Sequence, residues 1–312
     1  MPLIDGYGRP IVNLRITLTH KCNYKCIYCH MEGEEGTLEE LTPEEIERIV
    51  RVAVKLGINK VKLTGGEPLI RGDIVEVVRR LSHINGMGEV SITTNGSLLK
   101  EKVKELAKAK LKRINVNIPS LREKVYKYVT NSEYSPQQII EGVIEAKRLG
   151  INPIKVNMVI LKGINDDQID EMITFTKKND LILQLIELEN VGISEEIYSK
   201  YHVDVSSIEE KIKLETENVV VRRNMQNRRR YILRGGGEIE IVRPYENGSF
   251  CSACTRLRLT ANGKIKSCLM RNDNLINLKD LLRKNLDDYE LVKCFVKAIE
   301  GREPYWKKKI TP

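Results

Sequence analysis

Three cysteines, Cys22, Cys26 and Cys29, stand at Cys-x3-Cys-x2-Cys spacing. A closed zinc site or an ordinary four-iron cluster takes four protein ligands. Three thiolates at this spacing can hold three corners of a [4Fe–4S] cube and leave one iron open to a small molecule. An open iron turns an electron carrier into a catalyst. Two other chemistries use the same residues. Cys26-Ile27-Tyr28-Cys29-His30 matches the haem attachment pattern, but that chemistry needs export, and Met1-Pro2-Leu3-Ile4-Asp5 has neither a basic start nor an apolar stretch. Zinc with His30 as fourth ligand would use two chain neighbours, an awkward geometry.

A second set, Cys251, Cys254 and Cys268, again has three members. Asn262-Gly263 is a hairpin signal that returns Cys268 beside Cys254. A zinc ribbon here would need a distant fourth ligand, the nearest histidine being His202. A second open [4Fe–4S] cluster needs none. The remaining cysteine, Cys294, lies in an apolar helical pattern and reads as a small core residue.

Other polar residues cluster at strand ends. Thr64-Gly65-Gly66-Glu67-Pro68 offers two glycines for close backbone approach and, in Glu67, an acceptor suited to an ammonium group. Thr93 sits in a similar polar turn, Thr93-Thr94-Asn95-Gly96. Arg15, Lys62 and Lys155 each alternate with apolar neighbours. If those neighbours pack under helices, the three cations point inward, where they need an anion such as a nucleoside triphosphate. A strand-end lysine reaching out to solvent is the plainer alternative. Arg256-Leu257-Arg258 follows Cys254 with two more arginines suited to phosphate. Arg222-Arg223 and Arg228-Arg229-Arg230 fit a solvated hairpin as well as a ligand contact.

The elements that must position these groups are legible as well. Strands are predicted at Ile11–Thr19, Lys60–Thr64, Val90–Thr94, Arg113–Ile118, Ile154–Ile160 and Ile182–Leu188. Helices are predicted at Pro43–Leu56, Ile74–Ile84, Lys100–Lys110, Pro136–Leu149 and Gln168–Lys178. Thr42-Pro43-Glu44-Glu45 should cap the first helix, and Asn165-Asp166-Asp167 the fifth. This α/β alternation implies a parallel sheet closed too little for eight strands, an incomplete (β/α)6 TIM-type barrel over residues 1–215. Residues 216–312 read as a smaller α+β module that carries the second triplet and covers the open side. The chain has 312 residues, a net charge of +9 and 30% charged residues. Basic and acidic residues interleave, so charge alone selects no partner, and aromatic residues at 5% argue against a single-strand nucleic-acid platform. No apolar run is long enough to span a membrane, and the expected location is the cytoplasm.

The first triplet resembles the signature of the radical S-adenosylmethionine (SAM) enzymes, with Tyr28 at the aromatic position beside the adenine. With Gly65-Gly66-Glu67-Pro68 and Phe250-Cys251-Ser252-Ala253-Cys254-Thr255-Arg256-Leu257-Arg258, the chain resembles the GTP 3′,8-cyclases of molybdenum cofactor biosynthesis. Leu14-Arg15-Ile16-Thr17, Arg113-Ile114-Asn115-Val116, Lys155-Val156-Asn157 and Lys162-Gly163-Ile164-Asn165 extend the likeness over most of the chain. The resemblance implies two [4Fe–4S] clusters. The first would bind SAM among Tyr28, Gly66, Glu67, Asn117 and Glu189. The second would hold guanine, with Arg15, Lys62, Thr93, Lys155, Arg256, Leu257 and Arg258 on the ribose and triphosphate. A 5′-deoxyadenosyl radical would take the 3′ hydrogen of GTP, and C3′ would then bond to C8. Implied partners are an electron donor and the enzyme that carries the product to cyclic pyranopterin monophosphate; a homodimer is compatible, and no nucleic acid is expected. The chain departs from the family at Asn117, where Ser is usual, at Pro119, where Asp is common, and at Glu189, where Met is common. It ends Lys309-Ile310-Thr311-Pro312 where Gly-Gly is usual. Two rival readings are a radical SAM peptide-maturing enzyme with one auxiliary cluster and a zinc-containing RNA-binding protein.

Overall fold

A buried strand followed by an amphipathic helix recurs along the first half of the chain, as the sequence alternation requires. A computed structural model describes residues 2–37, 39–244, 246–284 and 287–306. The departure at Lys309-Ile310-Thr311-Pro312 lies outside them. The first units are β1 (Asn13–Thr17), α1 (Pro43–Lys55), β2 (Lys60–Thr64), α2 (Ile74–Ser82), β3 (Glu89–Thr94) and α3 (Leu99–Lys108). They continue through β4 (Arg113–Asn117), α4 (Glu123–Thr130), α5 (Pro136–Arg148), β5 (Ile154–Ile160), α6 (Ile169–Lys178) and β6 (Ile182–Glu187). Then come α7 (Glu195–Tyr201), α8 (Ser206–Leu214), β7 (Thr216–Arg222), β8 (Arg228–Leu233), β9 (Glu238–Val242) and α9 (Gly248–Ser252). The chain closes with β10 (Arg256–Leu259), β11 (Lys264–Lys266), β12 (Ile276–Asn277), α10 (Lys279–Arg283) and α11 (Asp288–Glu300).

Local chemistry explains most boundaries. Thr42 and Glu45 form a capping box with Pro43 in the first turn of α1, as expected, and Ser135 with Gln138 does the same for α5. The expected cap of α6 is a correction. Gln168 precedes α6 without a side-chain cap. Asn165 is instead fully buried, accepts from the Leu161 N–H at 2.7 Å and donates to the Pro119 and Val159 carbonyls at 2.8 and 2.9 Å. Three hydrogen bonds to buried backbone outweigh a helix end that water can satisfy.

The parallel run is β10-β1-β2-β3-β4-β5-β6-β9, with β11 and β12 antiparallel beyond one edge and β8 and β7 beyond the other. The segment after residue 215 therefore does more than cover an open side. It pairs onto both edges of the six-stranded core and satisfies backbone groups that would otherwise be bare. Strand pairing does not close the ring. The β7–β8 turn does so: the Gln226 N–H donates to the Ala253 carbonyl and the Thr255 hydroxyl to the Asn224 carbonyl, each at 3.2 Å. The result is an α/β fold built on one large, mostly parallel sheet.

Strand alternation then sorts side chains. Leu14, Ile16, Val61, Leu63, Ile92, Ile114 and Val156 are buried in the main hydrophobic core, and each stabilises by about 1.5–3 kcal/mol. The intervening Arg15, Lys62, Thr93, Asn115 and Lys155 face a central channel.

Candidate active site

The two triplets line one channel from opposite ends. Cys22, Cys26 and Cys29 lie in the loop leaving the C-terminal end of β1. Cys251 and Cys254 come just before β10, whose first residue Arg256 is level with Asn13 at the start of β1. Cys268 returns to that end because β11 runs antiparallel to β10. Both sets of thiols and the cations between them share the same walls.

The loop of the first triplet is held from three sides. The Lys25 and Ile27 N–H groups donate to the Thr130 and Val129 carbonyls at the end of α4, both at 3.0 Å. Gly66 N–H donates to the Thr19 carbonyl at 2.7 Å and Glu67 N–H to the Lys21 carbonyl at 2.8 Å. A Cβ on Gly66 would lie 2.2 Å from the Lys21 carbonyl oxygen, so only glycine fits. On the far side, a Cβ on Gly192 would meet the His30 carbonyl at 2.7 Å. Burial, then repulsion from Cys29 and Cys22, pushes the Cys26 thiol up to about 12; Cys22 and Cys29 are also raised, mainly by burial. Crowded thiols of this kind favour a cation, and bound iron lets them ionise.

At the second triplet burial also opposes ionisation, yet the guanidinium groups of Arg302, Arg256 and Arg9 bring the Cys254 thiol below its usual value. Cys251 is raised, chiefly by burial.

Between the triplets the channel is strongly positive. Arg258, Arg15 and Lys62 are cross-strand partners in one row, which continues through Ser91 to Arg113. Lys155 is level with Asn115 and Thr93, one step further along the strands, so these cations occupy two levels of the channel. Two carboxylates already neutralise part of this charge. Glu32 accepts from Arg15 and from Arg258, each at 2.6 Å. Burial opposes its charge, but Arg15, Arg258 and His30 hold it well below the usual carboxylate range. Glu240 pairs with Lys155 at 2.6 Å and with Arg222 at 2.5 Å. Lys62 donates to Asn115 Oδ1 at 2.8 Å and has no carboxylate partner among the described residues. Arg256 has neither a hydrogen-bond nor a carboxylate partner among them.

Known proteins share this architecture and, more tellingly, its sequence. A radical SAM superfamily model matches residues 16–176, and a Molybdenum Cofactor Synthesis C model matches residues 181–308. A probable GTP 3′,8-cyclase of Thermococcus kodakarensis is 46% identical, over 98% of this chain and 100% of its own length. One from Pyrococcus abyssi is 45% identical, over 97% of this chain and 99% of its own. The chain belongs to the GTP 3′,8-cyclase family. Among solved structures, Streptococcus suis SuiB bound to precursor peptide SuiA superposes with a TM-score of 0.68 at 22% identity, over 91% of this chain and 66% of that one. Native anSMEcpe with bound AdoMet and Cp18Cys peptide gives 0.61 at 16% identity, over 91% of this chain and 82% of that one. These two likenesses are of fold alone.

The family's cofactors are SAM and two [4Fe–4S] clusters, and the residues present fit them. Each triplet supplies three thiols to the channel, and Glu189 Oε2, on the same channel wall, is buried with no hydrogen-bond partner among the described residues. Tyr28, Gly66, Asn117 and Glu189 all line that end of the channel, and Arg15, Lys62, Thr93, Lys155, Arg256 and Arg258 line its middle and far end.

Two expected site residues are corrected. Glu67 does not face the channel: Oε1 accepts from the Leu69 N–H and the Thr94 hydroxyl, Oε2 from the Asn95 N–H. It brackets the β2 and β3 loops, and burial pushes its carboxyl up to about 7. Leu257 points to the opposite face from Arg256 and Arg258, fully buried in the hydrophobic core, because neighbours on a strand alternate.

Sequence reasoning missed Glu32, Glu240, Arg113 and Arg228. The first two are ordinary glutamates in a chain rich in them. Arg228 was visible only as part of a run, yet it is buried facing the channel while Arg229 is exposed beside Glu209.

Proposed function

We propose that this chain converts GTP to (8S)-3′,8-cyclo-7,8-dihydroguanosine 5′-triphosphate, the first step of molybdenum cofactor biosynthesis, with the nucleotide lying between the two clusters. The observation that carries this reading is the charge of the channel: among the described residues nine Lys and Arg side chains line it against four Glu, with Glu240 and Asp5 behind the lining answering part of that charge. An excess of buried cations is stable only when an anion completes it. A triphosphate supplies that anion, and Arg15, Lys62, Lys155, Arg256 and Arg258 lie where it would pass, with Thr93 beside them for a ribose hydroxyl. Guanine would then reach the free iron of the second cluster. Tyr28, Gly66, Asn117 and Glu189 would hold SAM at the first. When bound and given one electron by the donor, SAM and the first cluster would supply a 5′-deoxyadenosyl radical for the ribose 3′ hydrogen; C3′ would then bond to C8, and a second electron with a proton would complete the 7,8-dihydro product. The residues themselves bind, orient and keep water from the reacting sugar.

The same reading includes an electron donor for the first cluster, an enzyme that rearranges the product to cyclic pyranopterin monophosphate, and a cytoplasmic location. No helix among the described residues is long and apolar enough to cross a membrane. Sizing of the anaerobic protein decides between monomer and homodimer. The cations line the channel and not the outer surface, which gives RNA no basic face there, and a peptide gives no reason for them.

Anaerobic turnover of iron-reconstituted protein with SAM, a strong reductant and GTP tests the assignment. The expected products are 5′-deoxyadenosine and, after oxidation, a fluorescent pterin, with no pterin from ATP. 5′-Deoxyadenosine without pterin would return the peptide-maturing reading. One or two zincs per chain and no radical product would favour the RNA-binding one.

A further inference from the structure

The two ends of the described chain meet at the second triplet. Asp5 Oδ2 accepts from Arg9 Nε at 2.8 Å and from Arg302 Nη1, just beyond α11, at 2.6 Å. All three side chains are shut away from solvent. Arg9 Nη1 donates to the Cys251 carbonyl and Arg302 Nη2 to the Cys254 carbonyl, each at 3.0 Å. The two guanidinium groups thus divide their donors alike: one nitrogen to Asp5, one to the backbone of a cluster cysteine. Each keeps a further buried nitrogen, Arg9 Nη2 and Arg302 Nε, with no partner among the described residues. Both arginines line the channel with Cys251, Cys254 and Cys268.

Two buried cations sharing one carboxylate leave a positive charge, and a buried N–H without an acceptor is costly. The group that answers both needs is an anionic iron–sulfur cube, whose sulfurs accept hydrogen bonds. We propose that Arg9 and Arg302, locked together by Asp5, are positioning residues for the second cluster: they fix the carbonyls of Cys251 and Cys254 and donate their remaining N–H groups to cluster sulfur, retaining the cluster and raising its reduction potential. Donors and positive charge at the sulfurs favour the reduced, more negative state. The proposal rests on the reading that this triplet carries a cluster.

The test is a potentiometric titration of the full chain, reconstituted anaerobically and followed by electron paramagnetic resonance, with the first cluster as internal reference. Arg302→Met and Arg9→Met should move the second midpoint to more negative potential and leave the first in place. Arg302→Lys, which keeps the charge and loses the fork of donors, should move it less. Loss of the second cluster alone from a Met variant, with first-cluster iron and signal retained, also supports the clamp. Both midpoints unchanged in both Met variants would overturn it. If a Met variant loses both clusters, the Lys variant decides, and an unchanged midpoint there overturns the proposal. Wild-type protein that takes up only about four irons would instead sink the second-cluster reading.

Discussion

Arg15 on β1 and Arg258 on β10 are partners across parallel strands, and both grip the carboxylate of Glu32 at 2.6 Å. Glu32 reaches them from a left-handed backbone (φ 55°) just past Cys29, a conformation few residues other than glycine adopt. One carboxylate thereby ties the loop of the first triplet to the strand that leaves the second. Glu32→Ala would leave the buried guanidinium of Arg258 and the partly buried one of Arg15 uncompensated, and breaking a buried ion pair costs about 3–5 kcal/mol. Anaerobic denaturant unfolding should show that loss, with tripolyphosphate recovering part of it by supplying the missing anion. A variant as stable as wild type would contradict this role.

Lys155 is buried against Glu240, beside Arg228 and Arg222. Burial outweighs the attraction of Glu240 and, with those arginines, pushes its ammonium down to about 7. An unfolded lysine titrates near 10.4, so between these values the unfolded chain binds more protons than the folded one. Stability from this group therefore rises as pH rises from about 7 toward 10. Thermal midpoints taken from pH 6.5 to about 9.5 should climb less steeply, or fall more, in Lys155→Met than in wild type. Parallel curves would show that Lys155 keeps its proton throughout.

The strand and helix periodicities, the capping box at Thr42 and the hairpin at Asn262-Gly263 were legible because each depends on neighbours in sequence. Inward placement of Arg15, Lys62 and Lys155 was legible for the same reason, since alternation fixes the face. What sequence could not show is pairing between distant segments. Nothing local says that Glu32 meets Arg258, that Glu240 meets Lys155, or that β9 and β10 join opposite edges of one sheet. Glu67 misled because an acid after two glycines looks free to bind a ligand, whereas its three donors are already in place, one from its own turn and two from the end of β3 and the loop after it. The short helix α4 escaped notice because its pattern mixes Lys and Tyr over only eight residues, yet its last carbonyls hold the cysteine loop.

Gly66 packs against the backbone that leads into Cys22. A methyl group there would lie 2.2 Å from the Lys21 carbonyl oxygen and 2.8 Å from that of His20, so main chain has to move. Gly66→Ala should therefore displace the first triplet and spare the second. Iron after reconstitution is expected to fall from about eight to about four per chain, with SAM cleavage lost. Full iron and normal cleavage in this variant would disprove the latch.

Arg256 and Arg258 lie on one face of one strand and should nevertheless fail differently. Arg256 is pushed far below its usual range by burial and then by Arg228 and Arg15, and no carboxylate among the described residues answers it. Arg258 is bonded to Glu32. Arg256→Ala removes an unpaired cation, so stability should hold or rise. GTP binding should weaken by the worth of a charged hydrogen bond, about 1.5–3 kcal/mol, or roughly ten- to a hundredfold in Kd. Arg258→Ala should weaken GTP binding as well, and it also strips Glu32 of half its neutralisation, so its unfolding midpoint should drop. Because SAM binds at the other end of the channel, 5′-deoxyadenosine formation without GTP should stay close to wild type in Arg256→Ala. Equilibrium GTP binding and denaturant unfolding on the same two anaerobic preparations separate the cases. Unchanged GTP affinity in both would remove these arginines from the substrate site, and equal loss of stability in both would mean that Arg256 has a counterion in solution after all.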